Sequence, residues 1–366
     1  MRSALKRCLV AFVCLMVCAC AKGPESSSRI RPPVPIEPTI VLGLETAGSS
    51  EGLLYKPNSV AISDDGEVYV LDAGNQRVVV FDYAGNVVRQ FGRRGEGPGE
   101  FMIGWDWEDS IYLTESTVVV FEEDKHRIQI LQPSGEPISG FSFAKVSPSM
   151  YSDDHLLYLF TSPLSSGDPT VAVYTPTGEL LREFGSGFLD KTSNRIHFLN
   201  LGHIAVSKNG LIKQAFSSWP MIRTFEPEDD TYQDRWYDFS WWGDPGLSLP
   251  FVTGNDEAAL LRLQAGDMTS LPPRLVVFWD IEYVPGPSAW MTLLHKGGME
   301  RFSVVQVFSN DGDPLHSYRL LPEIADEEGD VPWPIDIGVS PSGRIMCAVD
   351  YSAALVRCYT IEQDWR

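Results

Sequence analysis

Residues 91–101, FGRRGEGPGEF, have the composition of a loop that could bind an anion. Four glycines accompany Arg93 and Arg94, so backbone N–H groups and two positive charges could cradle a phosphate. A phosphate loop of the GxxxxGK type also needs a lysine, followed by serine or threonine, at the start of a helix. The chain continues instead as FMIGWDW, without a lysine or a helical pattern, and we therefore exclude a phosphate loop.

The histidine motifs of catalytic metal sites are absent from the sequence, which contains no HExxH motif and no paired-histidine spacing. The histidines are scattered at His126, His155, His197, His203, His295 and His316. Four of the six cysteines lie at or before Cys20, and the other two fall in one predicted hairpin, which argues against thiol catalysis.

Those two cysteines, Cys347 and Cys358, lie on strand-like runs of GRIMCAVDYSAALVRCYTI. A turn centred on Ser352 and Ala353 places them opposite each other, where cross-strand Cβ atoms are about 5 Å apart. A disulfide then requires only a small adjustment, and an exported protein meets an oxidising compartment. The spacing leaves a disulfide and two buried thiols equally open.

The N-terminus has the order of a secretory signal, with basic residues in MRSALKR followed by the apolar run CLVAFVCLMV. This run is shorter than the roughly 20 residues that span a bilayer, so residues 1–19 are predicted to be a signal peptide. The next residues, VCAC, resemble the lipobox of bacterial lipoproteins, with Val17, Ala19 and the acceptor Cys20. An ordinary secretory signal cleaved nearby is the alternative. Ala21 favours the outer membrane of a host with two membranes, and thus a cell-envelope protein that faces the periplasm.

Residues 20–38 are rich in proline and serine, which predicts a tether between the anchor and a folded body at 39–366. The chain has 366 residues, 43% of them hydrophobic, enough for a large core. Its net charge of −20 repels nucleic acid and anionic lipid headgroups. We therefore expect no nucleic-acid partner and a membrane contact only through the lipid.

Residues 57–91 contain four short apolar runs, SVAIS, EVYVLD, RVVVFD and VVRQF, separated by Asp-Gly and Gly-Asn turn signals. Runs that are apolar on both faces indicate a sheet covered on both sides, as in a propeller blade. The pattern recurs along the chain, and the third-turn glycines Gly85, Gly135 and Gly178 repeat at the period of one blade. Six units result once an insertion at about 240–274, predicted to be partly helical, is set aside.

The last unit ends after its third strand, whereas TIVLGL at residues 39–44 precedes the first unit without a partner. Pairing the two removes an exposed sheet edge. The prediction is therefore an all-β protein: a six-bladed β-propeller of four-stranded antiparallel blades, closed by its N-terminal strand.

Residues 57–101 resemble an NHL repeat, and the whole chain is similar to the bacterial six-bladed propeller lipoproteins of TolB-like fold. The match rests on Pro57, Val60, Asp65, Gly66, Tyr69, Val70, Asp72, Asn75, Arg77, Phe81, Asp82, Gly85, Phe91, Gly92, Gly95, Gly97, Gly99 and Phe101. In the second unit Glu122, Lys125 and Arg127 occupy the Asp, Asn and Arg positions. The resemblance implies binding more often than catalysis. We expect the partner to be a protein or an envelope polymer, and we expect a monomer that needs no cofactor.

The resemblance also implies an alternative, because propellers of this kind include lactonases and lyases. Lactonase-like members hold a divalent cation on the axis through carboxylates and an asparagine. The candidates near inner strands are Asn58, Asp106, Asp280, Glu282 and Asp336.

The loop of residues 92–100 is expected on the same rim as the turns DAGNQR and EEDKHR, because inter-blade loops leave a blade beside the turn between its second and third strands. Asp72 and Arg77 flank one such turn and are predicted to form an ion pair within the blade. Arginine and tryptophan are enriched at binding hot spots. We therefore predict a ligand-binding face formed by Arg93, Arg94, Trp105, Trp107 and His126.

Replacement of the lipid acceptor tests the anchor directly. Cys20→Ser should move the protein from the membrane fraction into the soluble fraction, because acyl chains add about 0.8 kcal/mol of membrane affinity per buried CH₂. Fractionation followed by immunoblotting measures the partition. A variant that still sediments with membranes would contradict the anchor.

Overall fold

A computed structural model of the chain describes residues 28–44, 50–104, 109–143, 149–152, 155–161, 168–186, 201–217, 221–226, 231–238, 278–296, 302–322, 334–362 and 365. The predicted signal peptide, Cys20, the insertion at 240–274, Trp105, Asp106 and Trp107 lie outside these residues. No helix in the described ranges is long and apolar enough to cross a membrane.

Three short strands come first in the chain: β1 (Ser28–Arg29), β2 (Val34–Ile36) and β3 (Ile40–Leu42). The first three blades follow in sequence order, and each is a four-stranded antiparallel sheet. Blade 1 contains β4 (Pro57–Ile62), β5 (Val68–Asp72), β6 (Arg77–Phe81) and β7 (Val87–Phe91). Blade 2 contains β8 (Ser110–Leu113), β9 (Val118–Glu122), β10 (Arg127–Leu131) and β11 (Pro137–Ser142). Blade 3 contains β12 (Ser149–Ser152), β13 (Leu157–Phe160), β14 (Val171–Tyr174) and β15 (Leu180–Phe184).

The other three blades incorporate the N-terminal strands. Blade 4 contains β16 (Gly202–Val206), β17 (Ile212–Phe216), β18 (Met221–Phe225) and β19 (Tyr232–Asp238), with β1 beside β19. Blade 5 contains β20 (Phe278–Val284), β21 (Ala289–Lys296), β22 (Phe302–Ser309) and β23 (Pro314–Leu320), with β2 beside β23. Blade 6 contains β24 (Asp336–Val339), β25 (Ile345–Asp350), β26 (Leu355–Thr360) and β3.

The six first strands contact one another in a closed cycle, β4, β8, β12, β16, β20 and β24, and so surround a central axis. The apolar cores lie between neighbouring blades, because strands such as β5 and β9 are buried on both faces. The predicted six-bladed all-β propeller is confirmed.

The repeating glycines have a packing role in the turns between third and fourth strands. Gly135 and Gly178 adopt positive φ angles of 92° and 87°. A Cβ atom at Gly135 would lie 2.3 Å from the ring of Phe91, and one at Gly178 would lie 2.6 Å from the ring of Phe141. Each turn therefore needs glycine both for its backbone conformation and for the aromatic ring of the preceding blade.

The predicted ring closure is confirmed by β3, which pairs antiparallel with β26. The backbone N–H of Thr39 also donates to the carbonyl of Cys358 at 2.8 Å. Next to this junction, Cys347 and Cys358 face each other across β25 and β26 and form a disulfide.

The tether predicted for residues 20–38 differs from the structure over residues 28–36. There β1 pairs in parallel with β19, and β2 pairs in parallel with β23. Ile30 lies in the core between blades 4 and 5, Ile36 packs on the core between blades 5 and 6, and Leu42 lies in the core between blades 6 and 1. This six-residue spacing carries the chain from one blade to the next, so residues 28–42 form a strap across three blades.

Replacing the first apolar residue of the strap tests its contribution to stability. Ile30 is 1% exposed, so Ile30→Ser should cost about 2 to 3 kcal/mol of unfolding free energy through lost burial and cavity formation. Val34, 48% exposed on the same strap, provides the control: Val34→Ser should change stability by less than about 0.5 kcal/mol. Urea unfolding measures both variants, and equal midpoints would mean that the strap does not stabilise the ring.

Candidate functional site

The front rim, defined here as the rim with the turns between second and third strands, also carries the loops that enter each blade. Blade 1 shows this arrangement directly. The Gln76 side chain donates from Nε2 to the carbonyl of Ile103 at 2.9 Å, and the Ile103 N–H donates to Gln76 Oε1 at 2.8 Å. The loop after residue 91 and the turn at 73–75 are therefore on one rim, as predicted.

An acid and an arginine hold the loop that enters blade 1. Arg77 Nε is 2.9 Å from Asp72 Oδ2, and the Asp72 side chain is fully buried. Asp72 Oδ1 accepts from the N–H of Tyr55 at 2.7 Å, and Arg77 Nη2 donates to the carbonyl of Leu53 at 2.8 Å. Asn75 adds a 2.8 Å hydrogen bond to Asp72 Oδ2. These repeat residues order the backbone of the rim.

Glu122 and Arg127 do the same in blade 2. Glu122 Oε1 accepts from the N–H of Met102 at 2.8 Å and from Arg127 Nη2 at 2.7 Å. Arg127 also donates to the carbonyls of Glu96, at 2.7 Å, and Glu100, at 2.9 Å. The glycine-rich loop is thus fastened to the next blade, which assigns it a structural role at the junction.

Within that loop, Arg93 already has an acidic partner. Arg93 Nη2 lies 2.7 Å from Glu100 Oε1, and Glu100 Oε2 accepts from the N–H of Gly97 at 3.0 Å. The Arg93 side chain is 80% exposed, so this ion pair is worth little in stability. Arg94 is also exposed and contributes a backbone bridge to Phe101. The pair with Glu100 reduces the positive charge predicted for this face.

The ring of His126 packs against another side chain of the protein. His126 adopts a left-handed conformation, with φ of 48°, at the end of the turn after β9. Its ring packs edge-on against Phe143, with centroids 5.4 Å apart. Of the residues predicted for the binding face, the structure thus describes Arg93, Arg94 and His126, and Trp105 and Trp107 lie outside it.

Three carboxyl groups lie together on the inner strands that surround the axis. Asp280 and Glu282 belong to β20 of blade 5, and Asp336 begins β24 of blade 6. Asp280 accepts from the N–H of Ile337 in the next blade at 3.0 Å, and Asp336 accepts from the N–H of Val60 in blade 1 at 2.7 Å.

Ser59 of blade 1 continues this series, since its hydroxyl accepts from the N–H of Ile111 in blade 2 at 3.2 Å. Side chains of the first strands therefore link four consecutive blades around the axis.

The electrostatics of the axial carboxyls are unusual. Burial raises the pKa of Asp280 to about 6. Burial, together with repulsion from Asp280, raises the pKa of Glu282 and of Asp336 well above the ordinary values of these groups. Ionised Asp280 therefore disfavours ionisation of both Glu282 and Asp336. A positively charged group placed beside them would relieve this repulsion.

The predicted metal-ligand set is only partly assembled. Asn58, Asp280, Glu282 and Asp336 do lie on the inner strands, whereas Asp106 is outside the described residues. No group of three or more histidine, cysteine or acidic side chains has metal-binding geometry in the part of the chain that the structure describes. One oxygen of Asp280 accepts from the N–H of Ile281 in its own strand and the other from the N–H of Ile337 in blade 6, so both oxygens have protein partners.

Two residues of the site were missed by the sequence analysis. Tyr112 lies on β8, and burial together with repulsion from Asp280 and Glu282 raises the pKa of its hydroxyl. Asp109 lies just before β8; it accepts from Gly104 and Glu123 N–H groups, and burial raises its pKa to about 8. The sequence places both residues at the start of the first strand of the second unit, which could have indicated them. The repeat pattern is weak there, so this strand is hard to locate from the sequence.

Comparisons with known proteins agree with this architecture. The model of the DUF5128 family, described as a six-bladed beta-propeller, matches residues 37–117, from the closing strand to the start of blade 2. The chain is similar to a solved member of the DUF4221 family from Bacteroides vulgatus, with 11% identity and a TM-score of 0.54 over 88% of this chain and 96% of that one. It is also similar to a putative exported protein from Bacteroides fragilis, with 12% identity and a TM-score of 0.52 over 88% of this chain and 87% of that one.

A third similar structure is virginiamycin B lyase from Staphylococcus aureus, with 10% identity and a TM-score of 0.45 over 84% of this chain and 85% of that one. The similarity to the two Bacteroides structures, at these levels of identity, shows the fold alone.

The raised carboxyl pKa values lead to a pH-dependent prediction. The folded protein holds the Glu282 proton more tightly than the unfolded chain does. The free energy of unfolding therefore falls as pH rises from about 4, the pKa in the unfolded chain, through the folded pKa. Glu282→Gln removes this penalty, so the variant should melt a few degrees above the parent at about pH 8 and close to it at about pH 4.

Glu67→Gln provides a control of opposite sign, because Arg89 lowers the pKa of Glu67. This variant should melt below the parent at about pH 8, and the difference should disappear as the pH falls below about 4. Differential scanning calorimetry at several pH values measures both series. A Glu282→Gln difference that does not change with pH would contradict the raised pKa.

Proposed function

We propose that this protein is an exported, lipid-anchored binding protein that takes a positively charged group of its ligand into the axis of the propeller from the front rim. The observation that carries the proposal is the gathering of Asp280, Glu282 and Asp336 on adjacent inner strands, with Tyr112 in the same electrostatic environment. A bound cation would stabilise the ionised carboxylates, and the tyrosine ring adds a face suited to cations.

Several features support the wider assignment. The disulfide between Cys347 and Cys358 suits an oxidising compartment, and one of the similar structures is named a putative exported protein. The hydrogen-bonded rim, with its loops held by Asp72–Arg77 and Glu122–Arg127, provides the rigid surface that binding favours. The ligand is a protein or an envelope polymer that carries a basic group, and the protein acts as a monomer.

Arginine amide and citrulline amide, which differ in charge but not in shape, test the axial site. We expect saturable binding of arginine amide by calorimetry at about pH 8, and little binding of citrulline amide. Glu282→Gln should weaken arginine amide binding by about tenfold, which corresponds to one lost charge interaction of about 1.4 kcal/mol. Glu67→Gln, which changes a carboxyl outside the axis, should have no effect. Equal binding of the two amides would contradict the proposal.

The resemblance to lactonase-like propellers gives a second candidate, a hydrolase or lyase with an axial divalent cation, although the described carboxyls lack metal-binding geometry. Elemental analysis of the purified protein distinguishes the two functions. A stoichiometric divalent metal, removed by chelator together with an activity on lactones, would favour the enzyme. Arginine amide binding that persists after chelation would favour the binding protein.

A further inference from the structure

Three exposed apolar side chains lie at the front rim where blade 6 meets blade 1. Leu44 is 48% exposed, Leu53 is 39% exposed and Tyr55 is 50% exposed. Leu44 follows the closing strand β3, whereas Leu53 and Tyr55 belong to the loop that enters β4. At Gly43, a Cβ atom would lie 2.8 Å from the Ala354 carbonyl and 3.1 Å from the side chain of Leu54, so these segments are in close contact. We call Leu44, Leu53 and Tyr55 the closure patch.

The backbone beneath the closure patch is held in place. The N–H of Tyr55 donates to Asp72, the carbonyl of Tyr55 accepts from Gly74 at 2.8 Å, and the carbonyl of Leu53 accepts from Arg77. Leu53 and Tyr55 therefore project from an ordered loop. Because the loop backbone is already ordered, little backbone conformational entropy is lost when a partner covers these side chains. Both side chains are exposed although the backbone that carries them is held by these hydrogen bonds.

The closure patch lies at the junction of blades 6 and 1, where Asp336 also binds the backbone of β4. Lys56 follows Tyr55 in a left-handed conformation, with φ of 51°, and leads directly into β4. Its Nζ lies 5.8 Å from the centroid of the Tyr55 ring and 5.6 Å from that of Tyr351. Four residues further on, the backbone N–H of Val60 donates a hydrogen bond to Asp336. An apolar surface and an acidic one therefore meet at the same junction of blades 6 and 1.

We propose that the closure patch is the docking surface for a peptide segment of a protein partner, in which apolar side chains flank a basic one. The apolar side chains cover Leu44, Leu53 and Tyr55, and the basic side chain enters the axis towards Asp336. Charge complementarity favours this occupant, because the chain carries −20 and its axial groups are acidic. This proposal rests on the proposed function, which accounts for the basic group of the ligand. It adds the apolar side chains of the partner, which an anionic or purely polar envelope polymer lacks.

Three labelled peptides of equal length test this surface: one with arginine between leucines, one with arginine between serines and one with citrulline between leucines. Fluorescence anisotropy should show the first binding about tenfold more tightly than either of the others, because only the first satisfies both the patch and the axis. The double variant Leu53→Ser, Tyr55→Ser should reduce the advantage of leucine over serine to less than about twofold, while arginine amide binding is unchanged.

Val88 and Ile138 provide the matched control, since they are 48% and 53% exposed but lie on the outer strands β7 and β11. The double variant Val88→Ser, Ile138→Ser should bind all three peptides as the parent does. Because every substituted side chain is exposed, melting curves should show both double variants folded like the parent.

Equal binding of the leucine-flanked and serine-flanked arginine peptides would overturn the docking proposal and leave the axial site standing. Equal binding of the two leucine-flanked peptides, one with arginine and one with citrulline, would contradict the claim that the partner supplies a basic side chain. Failure of arginine amide alone to bind would count against the proposed function.

Discussion

Closure of the ring is the constraint on which the rest of the molecule depends. A blade buries both faces only when it has a neighbour on each side, so an open row of six sheets would leave two apolar faces in water. The pairing of β3 with β26 removes that cost by joining the N-terminus to the last blade. The strap stabilises two further junctions between blades, because Ile30 and Ile36 pack there. Its strands β1 and β2 also cover the edges of two sheets.

A second constraint acts on the front rim, where the loops between blades must be ordered without a core of their own. The protein meets it with buried acids that bind loop N–H groups and arginines that bind loop carbonyls. Asp72 with Arg77, and Glu122 with Arg127, use this solution in consecutive blades. It satisfies backbone groups that would otherwise be unpaired near the rim. The rim is thereby stiff, and side chains such as Tyr55 are displayed on it at a fixed position.

The axis combines structure with potential function. Asp280 and Asp336 link neighbouring inner strands through their hydrogen bonds, yet Asp280 lies close enough to Asp336 to raise the pKa of Asp336. An uncharged polar side chain would avoid this repulsion, as Ser59 does in an equivalent link. The three carboxyls on two adjacent strands therefore reduce the free energy of unfolding at neutral pH. Such a cost is typical of a binding site whose ligand supplies the missing charge.

The sequence by itself determined the strands, the turns, the six repeats and the closing strand, because each blade is a local unit whose apolar runs and glycine turns lie close together in the chain. Only the tertiary structure decided how residues 28–36 pair, since a spacing of six residues corresponds to the distance between neighbouring blades and to no local periodicity. It likewise decided that Glu100 pairs with Arg93 and that Tyr112 joins the axial carboxyls. Which polar side chains meet on the axis depends on the position of each inner strand in the closed ring, and that position is set by contacts between residues far apart in sequence.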